Sequence, residues 1–331
     1  MNFLRGKSIL IFAPRFFGYE IEIKNKLEEL GAEVHLYDER PSNNFIVKVL
    51  IRINPVLLYN RIYKHYKNII ERHRGSHFDY ILFFKGETVS KELIISLKES
   101  FTHAKVVLYL IDSLRNYPHL KGCLDLFDKA LSFDLSDTQN FSNLNFRPLF
   151  FLDEYANIGS NNESSKYDIL FIGTVHSDRW VFLNKIKSIA EAKGLKVKYY
   201  LYFQSPVIFW WRKIFNKSYW TIPFRYAEFI SLPKSKVIEY ISQSTIIVDI
   251  QHPKQTGLTM RTIEVLGANR KLITTNDQIS RYDFYNSSNI LIADRSNPII
   301  DDRFLQSKYI KPDISIYEKY SLEKWVFDIL K

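Results

Sequence analysis

What the sequence lacks narrows it first. A single cysteine, Cys123, stands in 331 residues, so no internal disulfide can form, which fits a reducing compartment. No uninterrupted apolar run reaches the roughly 18 residues that cross a bilayer. The opening Met1–Lys7 carries no apolar stretch of the kind that marks a secretory signal. A cytoplasmic protein is expected, soluble or held peripherally on the inner face of the plasma membrane. There is no G-x-G-x-x-G, which argues against the dinucleotide reading that Asp38, at the end of a strand, would otherwise invite. There is no Asp-x-Asp triplet either, and no metal site is expected.

Acidic residues are the minority charge. Lys and Arg number 46 against 36 Asp and Glu, a net charge of +10, which points to anionic partners. Nucleic acid is not expected among them: no DNA or RNA module is recognisable, and the basic residues travel with bulky apolar ones. A non-catalytic polyanion or nucleic-acid binder remains the alternative of another class. Hydrophobic content of 46% and charged content of 25% describe a folded chain long enough for two domains.

Short β-branched runs alternate with amphipathic stretches. Ser8–Ala13, Glu33–Tyr37, Tyr80–Phe84, Val106–Ile111 and Ala130–Phe133 read as strands; Gly18–Leu30, Leu57–Arg74 and Ser90–Ser100 read as helices. This β-α-β order is that of a parallel sheet covered on both faces. The polar stretch 157–166, NIGSNNESSK, reads as a linker. The alternation then restarts, with strands at Tyr167–Ile172, Val197–Tyr202, Thr245–Ile250, Lys271–Thr275 and Ile290–Ala293. Helices follow at Asp178–Ala192, Ser235–Ser242, Leu258–Ala268 and Leu322–Leu330. The expected fold class is α/β, with two Rossmann-like doubly wound domains facing a cleft. An N-terminal domain spans 1–156 and a C-terminal domain 167–331, whose last helix could return to the first.

The strongest local signal is Ile246–Asn276, IIVDIQHPKQTGLTMRTIEVLGANRKLITTN. A strand ends, a polar loop from Gln251 to Gly257 follows, and a helix begins. Free backbone N–H groups and the positive end of a helix dipole suit a phosphate there. Gly257 lets a ligand approach the backbone, Arg261 can reach a diphosphate, and Glu264 shares its helix face and can accept ribose hydroxyls. The segment GLTMRTIEVLGANRKLITTN resembles the donor-binding half of GT-B type glycosyltransferases, in particular the CgeB-like group. The resemblance implies transfer from a nucleotide-sugar donor, needing no cofactor, to a glycan or lipid-linked acceptor in bacterial surface polysaccharide assembly (capsule, O-antigen or lipopolysaccharide). It implies that Glu264 binds the ribose. Many relatives carry an acid eight positions earlier, where this chain has Thr256. On that resemblance the donor would meet Gln251, His252, Gln255, Thr256, Gly257, Leu258, Arg261, Thr262 and Glu264. The missing Asp-x-Asp fits the same type, in which dipoles and cations rather than a metal neutralise the leaving diphosphate. A polyol-phosphate transferase or a nucleotide-sugar isomerising enzyme would fit the same fold.

A second candidate cradle is FIGTVHSDR, with Gly173 and Thr174 in the turn and His176 and Arg179 at its rim. On the N-terminal side, Arg15, Tyr19 and Glu20 follow the first strand, Lys85 the third and Asp112 the fourth. Glu20 and Asp112 are the candidate bases for an acceptor hydroxyl; Arg15, Tyr19 and Lys85 are acceptor-side candidates. Asp112 also reads as a turn residue or helix cap.

Two stretches pair aromatics with cations. Asn43–Arg74 holds Lys48, Arg52, Arg61, Lys64, Lys67, Arg72 and Arg74 against one acid, Glu71. Phe203–Tyr226 holds Trp210, Trp211 and Trp220 with Arg212, Lys213, Lys217 and Arg225 and no acid. Such segments suit an anionic membrane surface, the second more than the first; the competing reading is a packed helical insertion.

Overall fold

The computed structural model describes residues 3–160, 165–175, 178–253 and 255–331. The chain forms two compact units, Met1–Leu149 with Leu322–Lys331, and Phe150–Ser321.

In the first unit six strands, β1 (Ser8–Phe12), β2 (Glu33–Tyr37), β3 (Tyr80–Phe84), β4 (Lys105–Leu110), β5 (Lys129–Ser132) and β6 (Asn145–Phe146), pair in the order β2-β1-β3-β4-β5-β6. Every pairing is parallel. The central strands SILIF, YILFF and KVVLYL are near-continuous apolar runs because helices cover both faces. The helices are α1 (Tyr19–Glu29), α2 (Phe45–Ile53), α3 (Tyr59–Arg72), α4 (Lys91–Ser100) and α5 (Leu135–Asn140). The single helix expected over 57–74 is preceded by one that periodicity alone did not reveal. Asn44 caps α2 by accepting from Ile46 N, and Asn54 sits extended and accepts from Val56 N. With no N–H at Pro55, a short 3-10 turn, Pro55–Leu58, separates α2 from α3. The C-terminal helix Leu322–Leu330 belongs to this unit. Its Trp325 is fully buried, edge-on to Tyr109 at 4.7 Å between ring centres and beside Phe84 at 5.6 Å.

The second unit repeats the style. Strands β7 (Tyr167–Thr174), β8 (Val197–Tyr202), β9 (Ala227–Glu228), β10 (Ser244–Asp249), β11 (Lys271–Thr274) and β12 (Ile290–Ile292) pair in the order β12-β11-β10-β7-β8-β9, all parallel. The helices are α6 (Asp153–Ala156), α7 (Arg179–Ala192), α8 (Pro206–Phe215), α9 (Lys234–Ser242), α10 (Met260–Gly267), α11 (Asp302–Gln306) and α12 (Ile314–Lys319). Strand order reverses between β7 and β10. A doubly wound sheet binds ligands in the crevice outside the carboxyl ends at such a point.

The division falls between Leu149 and Phe150, not in the polar 157–166 stretch. Leu149, Phe150, Phe151 and Leu152 are all buried, and Phe151 N donates to Tyr320 O at 2.8 Å. A buried crossing has none of the polar composition that marks an exposed linker, so composition misplaces it. Residues 157–160 form a 3-10 turn with Ile158 buried, and residues 161–164 lie outside the described residues. Among the described residues no helix is long and apolar enough to cross a membrane.

Candidate functional site

In the second unit the reversal point is organised by Asp249, the last residue of β10. Its Oδ2 accepts from Thr259 Oγ1 at 2.5 Å and from Thr262 Oγ1 at 2.7 Å. Thr259 in turn caps α10 by accepting from Thr262 N at 3.2 Å. The carboxylate thus holds the amino end of α10 against the end of β10. Thr262 and Leu258, expected to face the donor, are nearly inaccessible: Thr262 is spent on Asp249 and Leu258 lies in the core. Of the loop itself, Gln251 is pinned to Thr275 in both directions, its Nε2 donating to Thr275 O at 3.1 Å and its Oε1 accepting from Thr275 Oγ1 at 2.5 Å. Gln255 Nε2 donates to Gly257 O at 3.2 Å, and buried Asn276 donates to Thr256 O at 3.0 Å. His252 and Thr256 are exposed.

Arg261 and Glu264 pair with each other at 2.8 Å. The pair is not a surface one, because the Glu264 side chain is 4% exposed. Tyr155 of α6, also buried, hydrogen-bonds to both; burial pushes its hydroxyl above the ordinary tyrosine range and the Glu264 charge adds to it. Beneath them α10 packs closely, since a Cβ on Gly267 would come within 2.6 Å of Phe151 Cγ.

The second cradle differs from its sequence reading. Gly173 and Thr174 are not a turn: they lie within β7, paired with Leu201 and Tyr202 of β8. A Cβ at Gly173 would sit 3.0 Å from the far end of the Phe171 ring, a tight approach that the glycine relieves. His176 lies outside the described residues, as does Ser177. Arg179 opens α7 and folds back so that its Nη1 donates to Thr174 O at 2.9 Å. Its Nε is buried without a hydrogen-bond partner among the described residues, and desolvation lowers its proton affinity.

Arg295, which the sequence reading passed over, gathers this rim. It makes a two-pronged ion pair with Asp178 (2.7 and 2.8 Å) and donates to Gln251 O at 3.1 Å. Its Nη1 also lies 3.4 Å from Thr275 Oγ1. It thereby touches the turns after β10 and β11 and the start of α7. Nothing local in ADRSN marks it. Only the strand order brings it to the others.

In the first unit, the candidates lie in the turns that follow parallel strands. Asp112 Oδ1 accepts from Ser113 N (3.0 Å) and Asn116 Nδ2 (2.9 Å), and Oδ2 from Tyr117 OH (3.1 Å). That is the geometry of a turn organiser. Glu20 is nearly buried in the first turn of α1 and accepts from Phe16 N at 3.1 Å. Arg15 is 79% exposed, 4.0 Å from Asp38, and Tyr19 stacks on Phe16. Lys85 has a positive φ of 105°, uncommon for a side-chain-bearing residue. Glu39 explains how that backbone is held. Its fully buried carboxyl accepts from Gly86 N (3.1 Å) and Glu87 N (2.9 Å). Burial pushes this carboxyl well above the usual range and the neighbouring Glu87 charge pushes it further. Glu87 is paired with Arg40 and lies 3.5 Å from Lys85 Nζ. Sequence reasoning weighed Asp38 at this strand end and missed Glu39, Arg40 and Glu87.

Among the described residues no cluster of His, Cys, Asp and Glu is arranged to hold a metal ion. No protein-family model and no curated protein matches the sequence. Solved structures do match, along almost the whole chain. Anabaena HepE in complex with UDP and glucose superposes with a TM-score of 0.59 over 97% of this chain and 98% of that one, at 9% identity. An alpha-glucosyltransferase in complex with UDP and a 13-mer DNA gives 0.58 over 98% and 94%, at 14% identity. A UDP-N-acetylglucosamine 2-epimerase gives 0.51 over 98% and 94%, at 10% identity. The likeness is one of fold: two parallel six-stranded α/β sheets of the GT-B glycosyltransferase kind.

Proposed function

We propose that the chain is a metal-independent glycosyltransferase of the CgeB-like group. It would move a sugar from a nucleotide-sugar donor to a growing, lipid-linked bacterial surface polysaccharide. The observation that carries the donor half is the convergence of Arg179, Arg295 and the amino end of α10 at the β7/β10 reversal point. In this reading the loop 251–257 and the helix dipole receive the diphosphate, and Arg295 and Arg179 offset the charge that grows on it as the glycosidic bond breaks. Glu264, oriented by Arg261 and Tyr155, turns to the ribose. Glu20 is the better candidate for the proton of an acceptor hydroxyl in an inverting reaction, since Asp112 is committed to its own turn; a retaining reaction needs neither.

The lipid-linked acceptor is supported by Phe203–Tyr226. Phe209, Tyr219 and Ile222 are core, but Trp210, Trp211, Ile214, Phe215 and Trp220 are exposed on and after α8 beside Lys217. An exposed apolar patch with cations and no acid suits an anionic membrane surface.

The test is binding of nucleoside diphosphates and their sugars, followed by thermal shift with and without EDTA. Stabilisation by UDP or GDP that survives EDTA is expected; strict metal dependence would overturn the electrostatic account. The epimerase fold match keeps one other activity in view. Product analysis separates them, because an isomerising enzyme converts the nucleotide sugar with no acceptor present.

A further inference from the structure

The first unit contains a cavity of about 210 Å³ between the Pro55–Leu58 turn, α3, the start of α4 and the 3-10 segment Pro118–Gly122. Its wall is almost wholly apolar and aromatic, with Val56, Ile62, Tyr63 and Val89 among the lining residues. Two features set it apart from a packing defect. First, Val56 of its lining is 67% exposed, and Phe45, Ile46 and Ile53 of α2 and Leu57 of the same turn are exposed apolar residues too, an apolar band left uncovered on these two elements. Second, Thr88 and His119 of its lining touch the turns after β2 and β3: Thr88 Oγ1 donates to Glu39 O at 2.9 Å, and His119 Nε2 lies 3.2 Å from Gly86 O. The cavity is therefore lined both by an exposed apolar residue and by Thr88 of the loop that carries Lys85 and Glu87.

Charge selects the occupant. Lys48 and Arg52 of α2 and Arg61, Lys64 and Lys67 of α3 are exposed on these two helices, and Lys91 lines the cavity. The stretch 43–74 holds seven cations to one acid. A second copy of the chain would bring the same cations face to face, which is unfavourable. An anionic amphiphile satisfies both halves: its chain enters from the apolar band and its phosphate meets the cations. We infer that this cavity binds the hydrocarbon chain of a single-chain lipid phosphate, the membrane-anchored end of the acceptor. Its role as acceptor site rests on the transferase reading above; binding of the chain does not.

Farnesyl phosphate, titrated calorimetrically into the full-length protein below its micelle concentration, is the probe, with farnesol and inorganic phosphate as controls. Binding of farnesyl phosphate is expected, about tenfold weaker for farnesol and absent for phosphate. Val56→Asp, at an exposed position, should weaken farnesyl phosphate about tenfold and Lys91→Glu should narrow its advantage over farnesol, with melting temperature and UDP binding unchanged in both. Absence of binding, equal affinity in Val56→Asp, or a dimer in solution that Val56→Asp dissociates would each overturn the inference. UDP binding on the same samples reports on the donor site separately, so failure of one reading is distinguishable from failure of the other.

Discussion

Arg295 and Asp178, 117 residues apart in sequence, meet in a two-pronged ion pair, Nε to Oδ2 at 2.7 Å and Nη2 to Oδ1 at 2.8 Å. The pair ties the turn after β12 to the start of α7, and the same guanidinium reaches Gln251 O after β10. One side chain thus braces three of the loops that would surround a diphosphate. Arg295→Ala should weaken UDP binding by about 1–3 kcal/mol, the value of a lost charge-assisted hydrogen bond, and Arg295→Lys should recover only part of it, since an ammonium cannot form the fork. Titration calorimetry decides this; parent-like affinity in Arg295→Ala would remove Arg295 from the site.

The same pair carries a pH signature. The hydrogen bond from Arg295 holds the Asp178 carboxyl below its ordinary value of 3.8. A depressed carboxyl contributes stability that is fully present above that value and is lost as pH falls through the lower folded one. Asp178 is 45% exposed, so its contribution is screened to about 1 kcal/mol. The stability gap between parent and Asp178→Asn in urea should be constant from neutral pH down to about 4 and shrink below it. A gap unchanged at pH 3 would mean that the ion pair is not its source.

Arg261→Ala and Glu264→Gln should each weaken nucleotide binding, again by about 1–3 kcal/mol. Because the pair is buried beside Tyr155, each change also strands a partner, so a loss of stability should accompany the loss of binding. Replacing both together, Arg261→Met with Glu264→Leu, should restore stability but not binding. If nucleotide affinity also returned, the pair would be purely structural.

Trp325→Ala should destabilise the first unit by about 3–5 kcal/mol, the cost of emptying a fully buried indole site. The other four tryptophans all lie in the second unit, so chemical unfolding followed by amide hydrogen exchange of the first-unit strands β3 and β4 measures it. A change below about 1 kcal/mol would show that the C-terminal helix is only loosely held.

Membrane attachment through Phe203–Tyr226 is tested at its exposed residues. Reversing Arg212, Lys213 and Lys217 together, the obvious choice from sequence, would break the segment itself: Arg212 Nη1 donates to Val175 O at 2.9 Å and Lys213 Nζ to Ile222 O at 2.8 Å. Trp211→Ser, Phe215→Ser and Lys217→Glu touch only exposed side chains. The parent should sediment with phosphatidylglycerol vesicles at low salt and the triple variant should stay in the supernatant with its UDP binding intact. Equal sedimentation of both would assign attachment elsewhere.

Local regularity was legible without the structure. Apolar runs such as SILIF and YILFF, of strand length and alternating with amphipathic stretches, read as strands of a sheet covered on both faces, and the strand–loop–helix around Gly257 follows from residues next to one another in the chain. Hence the α/β order, most element positions and the loop 251–257 could be read directly. Tertiary structure decided what depends on which turns become neighbours. Arg295 beside Asp178 and Glu39 under the Lys85 loop are contacts made across the ends of parallel strands. Parallel strands are joined by long crossovers, so sequence spacing carries no record of which ends adjoin. The same reason drew Gly173 and Thr174 into β7, where pairing with β8 outweighed the local turn signal, and turned Leu258 and Thr262 inward. It also hid the boundary at Leu149: a crossing that buries its own side chains has the composition of a core, and only the packing around it shows that one unit ends there.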